Sequence, residues 1–206
     1  VALAERGAPF VLCAANHNAV GMLLPIEGNF EQSRRIEAQI AASQPTHKRL
    51  WAAVVRAKLE QQAAALEAAG AATAPLLALA RKVKSGDPDN LEAQGVIAAG
   101  LHPGIGLHHS HDNNAMRLVD DVMEPFRPMI DLKVWQLWRN EEHDVTPETK
   151  RALVRTLYDD MQSEAGATPV MVCMQKLATS LAQVYLGQRD KLDLPLPGLP
   201  LALVNS

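Results

Sequence analysis

Cysteine is scarce. The 206 residues include only Cys13 and Cys173, too few for a disulfide framework or a cysteine-built zinc site, and in keeping with a reducing compartment. Both lie in apolar runs and read as buried free thiols. Charge of one sign is also lacking: 20 Lys and Arg against 23 Asp and Glu leave a net charge of −3. Nucleic-acid binding would therefore need a local basic face on a nearly neutral body. No strongly apolar run is long enough to span a membrane, because the most weakly polar stretch, 63–80, is mostly alanine and contains Glu67, Gly70 and Pro75. Glu5 and Arg6 interrupt the start of the chain, unlike a secretory signal. The remainder is 48% hydrophobic and 21% charged, which excludes a disordered or collagen-like chain. The expectation is a cytoplasmic protein of one domain, or one domain and a fragment.

Two short apolar runs, 10–13 and 20–24, are bounded by Asn and Pro and read as strands. Two strands alone make a marginal sheet, so they read as the edge of a larger one. From Glu31 onward the spacing is helical. It predicts helices over 31–42, over about 47–69 with Thr46 as cap and Gly70 as stop, and over 74–84 with Thr73 as cap. Further helices are predicted near 115–134, 146–163 and 171–188, before an extended tail over 192–206 with three prolines. Leu50, Val54, Ala57, Leu59, Ala64 and Leu66 form the apolar stripe of the long helix, with Lys58 read as largely off it. Trp51, Trp135 and Trp138 are spaced as packing residues.

Chemistry concentrates between Ser85 and Pro128. Asp87, Pro88 and Asp89 make a helix start, whereas Glu92 falls beyond the first turn and by itself reads as a solvated carboxylate. Four of the seven histidines, His102, His108, His109 and His111, fall within ten residues. Imidazole binds divalent metals and carries protons near neutral pH, although a solvated loop would also accommodate these side chains. Next come Asp120, Asp121 and Glu124, ahead of Pro125, Phe126, Arg127 and Pro128. On a helix Asp121 and Glu124 share a face, and their repulsion needs a cation or hydrogen bonds to offset it. An exposed acidic helix closed by Pro125 is the competing reading. A carboxylate, a histidine and a carboxylate suit Mg²⁺ or, with the imidazole, Mn²⁺. Arg127 is placed to pair with a carboxylate.

Three blocks, 85–93, 100–109 and 120–128, in that order, resemble the CRISPR adaptation integrase family, and most closely its type II branch. The block ending Met123-Glu124-Pro125-Phe126-Arg127-Pro128 is the most specific. Residues 7–25 and the helix beginning Lys48-Arg49-Leu50-Trp51 are similar too, so the likeness runs over most of the chain. The resemblance implies a mostly α fold, with a helical catalytic domain over 29–206 and a remnant of an N-terminal β-sheet domain over 1–28. It implies a metal-dependent DNA endonuclease and integrase that inserts a DNA 3′-hydroxyl into the CRISPR array. Its metal ligands and catalytic residues fall on Glu92, His109 and Glu124, its supporting carboxylate on Asp121, and its ion is Mg²⁺ or Mn²⁺. No role carries over to His108. Double-stranded DNA, a homodimer and a small companion adaptation protein bridging two dimers are the implied partners. Arg81, Lys82 and Lys84 are candidates for DNA phosphate, with Lys48, Arg49, Arg56 and Lys58 as a weaker second group. Glu92 and His109 are only 17 residues apart, fewer than in the family, so a central segment is expected to be missing, along with most of the β-domain. That shortening leaves open a second reading: an inactive helical scaffold that binds DNA or assembles with partners.

Overall fold

A 25-residue helix organises the chain, because its sequence starts and stops cleanly. In the computed structural model, which describes residues 10–15, 19–23, 31–82, 102, 104–107, 116–198 and 200, the described part is mostly helical with few strands. Helix α1 (Gln32–Ala41) leads into the long helix α2 (Gln44–Ala68). The Thr46 amide donates to the Ser43 hydroxyl at 3.4 Å. The cap of α2 is thus Ser43 rather than the predicted Thr46, because Pro45 is preset for a first turn and needs no N–H partner there. At the other end Gly70 adopts φ +74°, a left-handed conformation that only glycine takes without strain. The Gly70 and Ala71 amides then close the last turn on the Glu67 and Leu66 carbonyls at 2.9 and 2.8 Å.

Helix α3 (Ala74–Lys82) begins as predicted. After residues 102–107 come α4 (Arg117–Met123), a 3₁₀ turn (Glu124–Phe126) and α5 (Arg127–Arg139). The sequence reading had one helix over 115–134. Pro125 and Pro128 each remove an amide and crowd the preceding turn, so the helix breaks at Glu124 and restarts at Arg127. Helix α6 (Pro147–Arg155) carries a capping box of Thr146 and Thr149, and a 3₁₀ turn (Thr156–Tyr158) follows it.

The predicted helix over 146–163 stops at Arg155. Its last part is instead a hairpin of β3 (Asp160–Ser163) and β4 (Gly166–Pro169), with Met161 opposite Thr168. Gly166 at φ +90° lets the chain reverse after Glu164 and Ala165, and the Ser163 hydroxyl accepts from the Ala165 amide at 3.1 Å. Burial of Met161 and Thr168 fixes this strand pair. Helix α7 (Val170–Tyr185) then crosses the core.

Leu50, Trp51, Val54 and Val55 of α2 join Leu118, Val119 and Val122 of α4 and Cys173, Leu177, Ala178 and Leu181 of α7 in one apolar core. Cys173 is a buried free thiol, as expected, and burial raises its pKa. The described part of the tail after α7, residues 192–198 and 200, has no helix, in keeping with the prediction, and it is pinned. The Asp193 amide donates to Ser180 Oγ at 2.9 Å, and buried Gln61 donates to the Leu196 carbonyl at 2.7 Å. Trp51 is buried and Trp135 partly so, with the Arg139 guanidinium 4.8 Å from its ring centre. Trp138 departs from expectation: it is exposed, with the His143 ring centre 5.7 Å from its own.

The predicted strand pair forms as β1 (Phe10–Cys13) and β2 (Ala19–Leu23), antiparallel, with Phe10 opposite Leu23. Phe10, Leu12, Val20 and Leu23 are all exposed, and no other described strand joins these two.

Candidate active site

Carboxylates are almost never fully buried unless partnered, yet Asp120, Asp121 and Glu124 are 2%, 0% and 1% exposed. The reading of this segment as an exposed acidic helix is therefore overturned. Glu124 stands where α4 gives way to the 3₁₀ turn, and its two oxygens face cations from different elements. Arg127, three residues on, donates from Nη1 to Oε1 at 2.9 Å, the pairing expected from the sequence. Lys58, from the middle of α2, places its ammonium on Oε2. The Lys58 side chain is 16% exposed. It is not off the apolar stripe, since it stands four residues after Val54 and three before Gln61, both buried.

Asp121 is turned to a different task. Its Oδ2 accepts the Leu107 amide at 2.6 Å, tying the Gly104–Leu107 backbone to α4. The other end of that segment is held by Gln39, the one buried residue of α1. Gln39 Nε2 donates to the His102 and Ile105 carbonyls at 3.1 and 2.7 Å, and Oε1 accepts the His102 amide at 2.8 Å. Gln39 and Asp121 together anchor the chain just before His108 and His109.

Two partly buried rings also sense Asp121. The His47 ring, in the first turn of α2, meets the Tyr185 ring edge-on, with centroids 5.9 Å apart. Burial lowers the His47 pKa, and the Asp121 charge opposes that shift. Burial raises the Tyr185 pKa, and Asp121 raises it further. Both rings are neutral near pH 7.

Glu92, His109 and Lys84 lie outside the described residues. Among the described residues no three His, Cys, Asp or Glu side chains cluster as metal ligands. Arg81 is exposed in the last turn of α3, which ends at Lys82. The residue in view fits a divalent ion in kind: Glu124 is a buried carboxylate, a hard oxygen donor, and its Oε2 faces the Lys58 ammonium. No helix among the described residues is long and apolar enough to cross a membrane.

The fold places the chain in a class. It superposes with a TM-score of 0.62 on a casposase bound to integration product, at 14% identity over 95% of this chain and 80% of that one. It superposes with a TM-score of 0.60 on a CAS1 protein from Thermotoga maritima, at 13% identity over 92% of this chain and 84% of the other. These identities speak for the fold alone. The sequence narrows the class further. The family model described as CRISPR associated protein Cas1 matches residues 91–155, the stretch that contains Glu92, His109, Asp121 and Glu124. The CRISPR-associated endonuclease Cas1 of Neisseria meningitidis serogroup C (strain 8013) is 28% identical over 239 residues, covering 95% of this chain and 78% of the relative. The chain is thus similar to Cas1 proteins in fold and, over residues 91–155, in sequence. That alignment is longer than the chain itself, so the relative carries residues with no counterpart here.

Sequence reasoning missed two contributors. Lys58 could have been found as a lysine at a core-facing helical position. Gln39 left no such signal, because its partners are backbone groups more than 60 residues away.

Proposed function

We propose that this chain is a metal-dependent DNA endonuclease and integrase of CRISPR adaptation, acting on double-stranded DNA by transesterification. The observation that carries the reading is Glu124: a carboxylate 1% exposed, inside the family-matched segment, with both oxygens set against cations. Glu92, His109 and Glu124 would hold Mg²⁺ or Mn²⁺, which when bound polarises the phosphoryl oxygen and stabilises the leaving oxygen. The protein's own residues do the rest. Asp121 and Gln39 fix the segment that leads into His109. Arg127 holds one oxygen of Glu124 and so sets the direction of the other. Arg81, Lys82 and Lys84 neutralise phosphates of the bound DNA, an attraction that weakens as salt rises. A terminal 3′-hydroxyl of the captured fragment attacks a phosphodiester of the CRISPR array, and the displaced 3′-oxygen leaves.

In this reading residues 29–206 form the catalytic domain and 1–28 belong to a β-domain. The protein works in the cytoplasm as a homodimer, with a small companion protein bridging two dimers. A casposase caught with its integration product on the same fold supports strand transfer as the reaction class.

The test is strand transfer with a fluorescent DNA duplex and Mn²⁺ or Mg²⁺. Glu124→Gln and His109→Ala each abolish product while circular dichroism stays unchanged. Near-normal product from either variant rejects the metal assignment. The alternative, an inactive helical scaffold, is motivated by the short separation of Glu92 and His109, 17 residues. Wild-type protein that shows no melting shift with Mn²⁺ and no product would establish it.

A further inference from the structure

The Lys58 contact has no place in the reaction as described, yet it occupies a critical atom. Glu124 offers two oxygens. Oε1 is committed to Arg127, which lies three residues further on and is held by the local helical turn. An ion that approaches Glu124 at Oε2 meets the Lys58 ammonium already seated there. Two cations on one carboxylate oxygen repel each other, so each weakens the hold of the other. Lysine suits such a post: its ammonium is a compact charge on a flexible four-carbon stem, without the planar fork that would lock an arginine in place. Lys58 shares a face of α2 with the buried Val54 and Gln61, and its side chain keeps 16% of its surface exposed, which leaves a route outward.

We propose that Lys58 is the resident counter-ion of Glu124, which the divalent ion displaces on binding. In the metal-free protein the ammonium keeps the buried carboxylate paired, so the helix junction stays folded before metal arrives. The same contact sets the metal affinity, because each binding event must first break it. This inference rests on the metal-binding reading above and assigns Lys58 as a positioning residue; it does not touch the reacting atoms.

Mn²⁺ titration of the full chain by calorimetry, alongside melting in chelator, separates the two ideas. Lys58→Met binds Mn²⁺ roughly tenfold tighter than wild type, because a competing unit charge is gone. In chelator it melts several degrees lower, since Glu124 loses the Lys58 ammonium, and Mn²⁺ restores the loss. Lys58→Arg keeps a cation on Oε2 and does not tighten binding. Should Lys58→Met unfold in chelator, the Mn²⁺ concentration at half-refolding reports the affinity instead. The double variant Lys58→Met with Glu124→Gln then regains metal-free stability, because position 124 no longer buries a charge that lacks the ammonium. Unchanged or weaker Mn²⁺ binding in Lys58→Met overturns the displacement. If Glu124→Gln binds Mn²⁺ as wild type does, the metal reading itself fails and takes this inference with it.

Discussion

Replacing Gln39 by leucine tests how the site is assembled from distant parts of the chain. The two side chains are close in size, so the change removes three hydrogen bonds without opening a large cavity. Each such bond contributes a net ~1 kcal/mol. The His102 amide and the His102 and Ile105 carbonyls lose their partner, but His102 is exposed and water can reach part of that backbone. The sum is therefore about 3 kcal/mol, without a further desolvation penalty for each group. For a chain of this size that corresponds to a fall in Tm of roughly 6–12 °C. Urea unfolding followed by circular dichroism measures it, with strand transfer at 25 °C measured alongside. Product formation falls by much more than the folded fraction, because residues 102–107 lead directly into His109. A loss below about 0.5 kcal/mol, or a clear loss of stability with unchanged strand transfer, would refute the anchoring role.

Asp121 is separable into anchor and charge. Asp121→Asn keeps an oxygen for the Leu107 amide and costs little stability, whereas Asp121→Ala strands that buried donor and costs about 2 kcal/mol by urea titration; equal losses would deny the anchor. Stability also depends on pH at both ends. His47 has a lowered pKa when folded, so its contribution is complete above the ordinary 6.5 and is lost as pH falls below it, where the unfolded chain takes up the proton. Tyr185 has a raised pKa, so its contribution is complete below the ordinary 10.0 and is lost as pH rises beyond it. His47→Leu flattens the acid edge and Tyr185→Phe the alkaline edge of a plot of unfolding free energy against pH; edges unmoved by either variant would contradict these assignments.

The helices were legible wherever periodicity and punctuation agreed. Ser43, Pro45 and Gly70 bracket α2, and an apolar stripe runs between them, so only the capping residue was misplaced. The hairpin over 160–169 was not legible. Asp160, Met161, Gln162 and Glu164 tolerate a helix, and what makes them strands is the burial of Met161 opposite Thr168, a tertiary event marked locally only by Gly166. At the site, Glu124 and Arg127 could be read from a local motif and a three-residue spacing. Lys58 and Gln39 act across 66 and 63 residues of chain, and no local pattern names a partner that far away. Trp138 shows the reverse error: its spacing suits a core, but the face of α5 that carries it meets solvent.

Anomalous diffraction at the manganese edge, from crystals grown with Mn²⁺, tests the central claim most directly. The account predicts one ion bonded to Glu124 Oε2 together with His109 and Glu92, with the Lys58 ammonium moved off that oxygen. An ion bound elsewhere, or none, with Lys58 still seated on Glu124, would contradict it.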